Sequence, residues 1–447
     1  MKRKIALLCV MMLAASGVWA QQDTLVLDLK KAIELALSDN PTVRIANLEI
    51  ERQDYVRKES RGDLLPSLSA SGQYTYSVVK QEMAKGLSFG ADNTLTATAS
   101  LSVPLFVPSV YATLRMNRDQ LAAAVESARG NRIVLIGDVK NAYYNILLAE
   151  QSLAVLESSR RSTASTVEST RASFEQGLVS EYDLLTAEVQ LRNLEPSIIE
   201  MRNAIESSKL LLKMYLSIPE EIPIEVSGSL DDYREQVLAD FDPVGMDLSE
   251  NTDLRSLELQ QQLMGSQIKL AQTARMPVIS AFGSAIYTGN DMERINFGSF
   301  TGGSDDGSSE NGFWWQHPVS VGVQLSIPIF SGLKNTQRVK QLRNSLSQLD
   351  LQKEYLAQSL RVQLITARNN LFTAREKMTA NEQTVLLAQK AYDISRTRFR
   401  TGTGTIVELN LAETKLTEAR LSYSQSIFDY LAARVEYDKV IGVEKID

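Results

Sequence analysis

Cysteine and histidine are almost absent from this sequence. Its 447 residues include one of each, Cys9 and His317, too few for the ligand sets that hold zinc or haem. Proline and glycine are sparse, at 11 and 23 residues, while 44% of the chain is hydrophobic. That balance excludes a disordered protein. Beyond the first twenty residues no apolar run reaches the roughly 20 residues of a helical membrane span, so the chain is not a helical membrane transporter. P-loop, G-x-S-x-G and H-E-x-x-H patterns are also missing. The chain therefore reads as a non-enzyme, with no catalytic residues, no cofactor and no metal site. The scattered methionines read as core rather than as a soft-metal relay. Positive charge is in deficit, with 47 Lys and Arg against 54 Asp and Glu, which argues against nucleic acid as a partner. The many carboxylates are spread over helix faces, where solvated charge is the default.

What is present begins with a targeting segment. Lys2-Arg3-Lys4 is a basic start, Ile5 to Ser16 is apolar, and Val18-Trp19-Ala20 ends in a small residue. This reads as a signal peptide over 1–20, cleaved after Ala20. An apolar run of about 12 residues is too short for an anchor helix, and Cys9 lies inside that run, away from any lipoprotein cleavage point. Cleavage removes the only cysteine, leaving an exported chain without disulfides.

A repeat is the most informative feature. Leu37-Ser38-Asp39-Asn40-Pro41 reads like Leu248-Ser249-Glu250-Asn251-Thr252. Pro66, Leu68, Ser69, Ala70 and Gly72 recur as Pro277, Ile279, Ser280, Ala281 and Gly283. Ser102-Val103-Pro104-Leu105-Phe106 recurs as Ser326-Ile327-Pro328-Ile329-Phe330. Phe174, Gly177, Asp183, Leu184, Ala187 and Glu188 recur as Phe399, Gly402, Glu408, Leu409, Ala412 and Glu413. A period of about 220 residues is too long for a solenoid and reads as duplication of a whole domain. The first copy covers 21–216 and the second 247–447. A proline-bearing linker or equatorial segment over 217–246 joins them.

Each copy follows one plan. Asp28 can cap a first helix whose apolar face is Leu29, Ile33, Ala36 and Leu37, and a second helix runs from about Thr42 to Leu64. Two strands of period-2 alternation follow, at about 66–78 and 94–104, and again at about 277–287 and 318–328. One face of each is apolar and the other small and polar, the signature of a transmembrane β-strand with a wet interior. Phe282 and Ile286 are exceptions, falling on the polar face. Helical patterning then runs from Pro108 to about Gln176 and from Leu333 to Arg400. At 1.5 Å per residue each such helix is about 100 Å long, too polar for a thick core and suited to a thin coiled-coil-like wall. Gly177 and Gly402 stop these helices. Capping-box patterns at Ser180–Asp183 and Thr405–Glu408 start return helices to about Leu216 and Val440. Pro196 predicts a kink or break in the first of them.

Four membrane strands cannot close a barrel, and an open edge cannot sit in lipid, so several chains must share one. Two chains give eight strands, which side chains fill, and three give twelve with room for a channel. The fold class is mainly α with a transmembrane β-barrel portion, built from two pseudo-repeats of helix, strand, strand, long helix and helix.

On the order of these features, met twice, the sequence resembles the TolC-type outer membrane efflux protein family. The resemblance covers the mature chain, including the Pro-Leu-Phe and Pro-Ile-Phe strand exits and the Phe-x-x-Gly turns. It implies a homotrimer with a twelve-strand barrel in the outer membrane and a twelve-helix tunnel in the periplasm. It also implies an inner-membrane pump and a periplasmic adaptor as partners, with the outer membrane lipid around the barrel and no catalysis. The expected function is a passive exit duct for small molecules in a tripartite export system. Alternatives are the outer membrane component of type I protein secretion, or a structural or adhesive coiled-coil protein. A free-standing porin would leave the long helices unexplained.

The resemblance places the two helix-reversal turns, at 177–183 and 402–408, at the periplasmic mouth. There Asp183 and Glu408 could form an acidic ring that narrows or tunes the mouth, favouring cations and answering to protonation. Both also stand three residues after a hydroxyl cap, so capping explains them too. The family carries a second acid one turn later and a basic residue after the glycine; these positions are Leu411 and Gly404 here. Phe174 and Phe399, with Gly177 and Gly402, either line the mouth or hold the turn together. Trp314 and Trp315, with Phe313, precede the fourth strand, and Tyr74, Tyr76 and Tyr287 lie near strand ends. They read as a membrane-interface belt or as packing within the loop 288–316. That loop and 79–93 would face outside the cell.

Overall fold

The computed structural model describes residues 24–79, 81–84, 87–234, 247–291 and 314–444. The expected signal peptide and Phe313 lie outside the described residues. β1 (Leu25–Leu27) leads into α1 (Leu29–Asp39) and α2 (Pro41–Gly62). β2 (Ser67–Tyr76), the short β3 (Gln81–Ala84) and β4 (Leu87–Phe89), and β5 (Asn93–Phe106) follow. Then come α3 (Pro108–Glu175), α4 (Glu181–Leu216) and β6 (Ile224–Val226). The second copy supplies α5 (Thr252–Thr273), β7 (Val278–Asn290), β8 (Trp314–Gln316), β9 (Val319–Ser326), α6 (Lys334–Arg400) and α7 (Ile406–Ile441). No described helix is long and apolar enough to cross a membrane.

The chain divides into two compact units, each drawn from both copies of the repeat. One comprises the described residues within 1–48, 125–256 and 353–447, and the other those within 49–124 and 257–352.

The second unit carries an antiparallel sheet in the order β2-β5-β7-β9, with β8 also pairing β7. Its register keeps like with like. Leu68 pairs with Leu101, Leu101 with Gly283 and Gly283 with Val321; one step along, Ser69, Ser100, Ser284 and Ser320 are aligned. Because side chains alternate between faces, that register gives one apolar and one small polar face across all four long strands. Phe282 departs from the pattern because it stands opposite Gly322, where a Cβ would lie 2.9 Å from the Phe282 ring. Among the described residues, β2 and β9 each pair on one side only, so the sheet has two open edges. β9 closes at Ser326, ahead of Pro328, which has no N–H to give a ladder.

The first unit holds the principal core. Ile33 of α1, Tyr143 and Ile146 of α3, Leu212 of α4, Met378 of α6 and Ile427 of α7 meet there. The parallel β1–β6 pair joins this core through Leu27 and Ile224. The Tyr143 hydroxyl donates to the Ser227 carbonyl at 2.5 Å. Asp28 caps α1, accepting the Lys31 backbone N–H at 2.6 Å.

The repeated asparagine of the Leu-Ser-acid-Asn motif has a structural reason. Asn40 accepts the Thr42 N–H at 2.8 Å, starting α2, and donates to the Tyr215 carbonyl at the end of α4 at 2.8 Å. Asn251 accepts the Leu254 N–H at 3.0 Å, starting α5, and donates to the Val440 carbonyl at the end of α7 at 2.7 Å. In each copy one side chain caps one helix and clasps the end of another.

α4 runs through Pro196 without ending. Of the expected kink or break, a break is therefore absent; Ile198, two residues on, is buried and continues the packed face of the helix. Two helices of this unit also expose apolar side chains in a line. On α4 these are Tyr182, Leu185, Val189, Ile199, Leu210 and Met214; on α6 they are Tyr355, Val362, Ile365, Leu386 and Ile394. Apart from the step of eight between Leu386 and Ile394, their spacings stay close to multiples of 3.5, the repeat of a coiled-coil seam.

Candidate functional site

The two helix-reversal turns share a backbone. In the first, Gly177 takes a φ of +72°, its N–H donates to Phe174 O at 2.8 Å, and the Leu178 N–H donates to Ser173 O at 2.9 Å. In the second, Gly402 has the same φ, its N–H donates to Phe399 O at 3.0 Å, and the Thr403 N–H donates to Arg398 O at 2.9 Å. Both close a long helix with a left-handed glycine that lets the last carbonyls find donors.

Their acids behave differently. The Asp183 N–H donates to Ser180 Oγ at 3.2 Å. The Ser180 N–H and hydroxyl donate back to the Asp183 carboxylate at 3.1 and 2.7 Å. Asp183 is thus engaged in a reciprocal capping box. At the second turn the Glu408 N–H donates to Thr405 Oγ1 at 3.2 Å, but the carboxylate reaches Arg398 at 3.6 Å. Arg398 also donates to Thr403 O at 3.3 Å. A Cβ on Gly404 would lie 3.0 Å from Arg398 Cβ and 3.3 Å from Glu408 Oε2. The bare Gly404 backbone therefore leaves room for Arg398 and Glu408 to meet across the turn. Arg398 stands in the last turn of α6, four residues before Gly402.

The phenylalanines also separate. Phe399 packs on a small cluster formed by Val167, Ala187, Tyr392, Ile406, Leu409 and Leu416, whereas Phe174 is 38% exposed. Leu411 is 61% exposed.

Near the strand ends of the second unit, Tyr287 and Trp315 stack at 4.8 Å between centroids. The Trp315 ring lies over Gly289, where a Cβ would be only 2.6 Å away, so glycine there makes the seat for the indole. His317 sits 6.5 Å from the Tyr287 ring. The Tyr74 hydroxyl donates to Asn93 at 2.7 Å, and Asn93 donates from its side chain and backbone to Asp291 at 2.6 and 2.9 Å. This links β2, β5 and the end of β7. Tyr74, Tyr76, Trp314 and Trp315 are exposed. No group of three or more potential metal-binding His, Cys, Asp or Glu residues occurs among the described residues.

Sequence reasoning named the turn glycines and acids but missed Arg398 and Asn93. Arg398 had a signal, a cation in the last turn of a helix. Asn93 had none beyond its place at a strand start.

A family model described as outer membrane efflux protein matches residues 32–216 and 245–443, one match for each copy of the repeat. The outer membrane protein TolC of Escherichia coli strain K12 is 23% identical over 421 residues, covering 93% of this chain and 82% of that protein. The alkaline protease secretion protein AprF of Pseudomonas aeruginosa is 24% identical over 421 residues, covering 92% and 84%. Among solved structures, the outer membrane protein VceC of Vibrio cholerae superposes with a TM-score of 0.71 at 15% identity, covering 93% of this chain and 96% of that one.

Proposed function

The chain belongs to the outer membrane efflux protein family, and from that premise we propose that it is the outer-membrane exit duct of a tripartite export system. The observation that carries this reading is the sheet. Four long strands with one apolar and one small polar face end in two open edges, and lipid does not tolerate unpaired backbone. Three copies side by side would close a twelve-strand barrel with its polar face around water. The apolar seams on α4 and α6 supply matching surfaces for neighbouring copies, as coiled-coil packing requires.

In this reading an inner-membrane pump and a periplasmic adaptor bring small molecules to the turns at 177–183 and 402–408. The signal peptide over 1–20 directs the chain itself out of the cytoplasm and is then removed. Asp183 and Glu408 of three chains form the acidic mouth, with Arg398 holding Glu408 in each. Trp314, Trp315, Tyr74, Tyr76 and Tyr287 lie at the membrane interface.

Identity to the protease secretion protein AprF is as high as identity to TolC, which favours protein secretion as the second reading. A deletion strain separates them: loss of tolerance to dyes, detergents and antibiotics supports efflux, and unchanged tolerance with a lost secreted protein supports secretion. The duct itself is tested by the mass of the particle extracted in mild detergent, corrected for bound detergent. We expect three protomers; a monomer would leave both sheet edges bare in lipid and overturn the reading.

A further inference from the structure

Glu413 lies on α7, behind the second turn, and is 3% exposed. Hydroxyls rather than cations surround it. From α3, Ser159 donates to Oε1 at 3.5 Å, and Ser162 and Thr163 face the same carboxyl. Ser162 shares a hydrogen bond with Tyr392 of α6 at 2.6 Å, Thr417 on α7 donates to Ser159 at 3.0 Å, and Gln190 of α4 donates to Thr414 at 3.0 Å. Arg396 of α6 is the charged group that acts on the carboxyl, and it does so at a distance, without an ion pair among the described residues. Glu413 Oε2 and Thr163 Oγ1 are buried with no hydrogen-bond partner.

The other copy of the repeat gives the contrast. Glu188, at the matching position, is ion-paired with Arg171 at 2.6 Å on the surface. The same sequence position is thus solvated and paired in one copy, enclosed and unpaired in the other.

We propose that Glu413 is a proton-operated latch between α3 and α7. Protonated, the acid is neutral and its Oε2–H can donate within the hydroxyl cage, which holds α7 tightly against α3. Ionised, with its proton released to solvent, it is a buried carboxylate without a cation, and the packing behind the turn loosens. Burial pushes the Glu413 carboxyl above its ordinary range, with the hydroxyls and Arg396 offsetting part of the effect. An acid raised in the closed form contributes its full stabilisation below the ordinary carboxylate pKa of about 4.3 and loses it as pH rises through the raised value. The latch concerns helix packing and stands whether or not the turn is a gate.

The test is hydrogen–deuterium exchange of the intact detergent-solubilised protein from pH 4.5 to 7.5, corrected for intrinsic rates. In the wild type, protection of amides in 159–170 and 406–417 should fall by up to about tenfold per pH unit before levelling off. Glu413→Gln, neutral and of the same shape, should keep the acid-form protection throughout, and Glu188→Gln should behave as wild type. Parallel profiles for wild type and Glu413→Gln would overturn the latch. If that variant fails to assemble, Ser159→Ala with Ser162→Ala serves instead. Removing hydroxyls that favour the carboxylate should move the fall to higher pH, and an unmoved midpoint would overturn the proposal equally.

Discussion

Glu408 and Asp183 hold equivalent places in two matching turns, yet their carboxylates have different work. Asp183 is committed to its own helix start, while Glu408 is turned toward Arg398. That pair is half exposed, so solvent screening limits it to about 0–1 kcal/mol per chain. Glu408→Ala and Arg398→Ala should both loosen the turn and raise single-channel conductance in planar bilayers, by about twofold, as expected for about 0.5 kcal/mol. With the turn at the proposed mouth, they should part on ion preference, since Glu408→Ala would remove an anion there and lower cation selectivity while Arg398→Ala would raise it. If neither variant changes conductance or selectivity, the pair has no part in the mouth. The turn residues were legible in sequence because left-handed glycines and hydroxyl caps are local signals. The choice of partner for each acid was not, since it depends on a guanidinium brought back across Gly404.

At the scale of elements, sequence periodicity located the strands and long helices because each is fixed by a pattern within its own length. The register that aligns Leu68, Leu101, Gly283 and Val321 was only half visible: alternation gives the faces, while pairing across copies needs the tertiary fold. Of the kink or break expected at Pro196, the break does not occur, since α4 continues through it. The two seams make a sharper prediction. Ile199→Glu on α4 or Val362→Glu on α6 should weaken the trimer by at least about tenfold, the effect of about 1.4 kcal/mol, if either position is buried between copies. Sedimentation in detergent would read this, with helix content by circular dichroism staying near wild type. Sedimentation indistinguishable from wild type for both variants would remove the seams from the assembly.

For the whole molecule, the duplicated plan was the strongest signal in the sequence, and the family match in two segments mirrors it. The division into compact units does not follow the duplication, since each unit takes segments from both copies. A repeat detected along the chain marks descent, whereas a contact unit marks cohesion, and elements as long as α3 and α6 belong to more than one such unit.

The open edges at β2 and β9 carry a genetic consequence. If every particle draws one edge pairing from each neighbour, a chain able to fold but unable to offer β9 would spoil any ring it enters. In a cell making equal amounts of intact and β9-defective chains, random mixing leaves about one ring in eight wholly intact. A proline placed in the middle of β9, for example Val323→Pro, should therefore be dominant over a resident wild-type gene. With the resident gene's own output unchanged, about twice the chains make twice the rings and about one in eight is intact, so export should fall to about a quarter, whereas chains working alone would leave it unchanged.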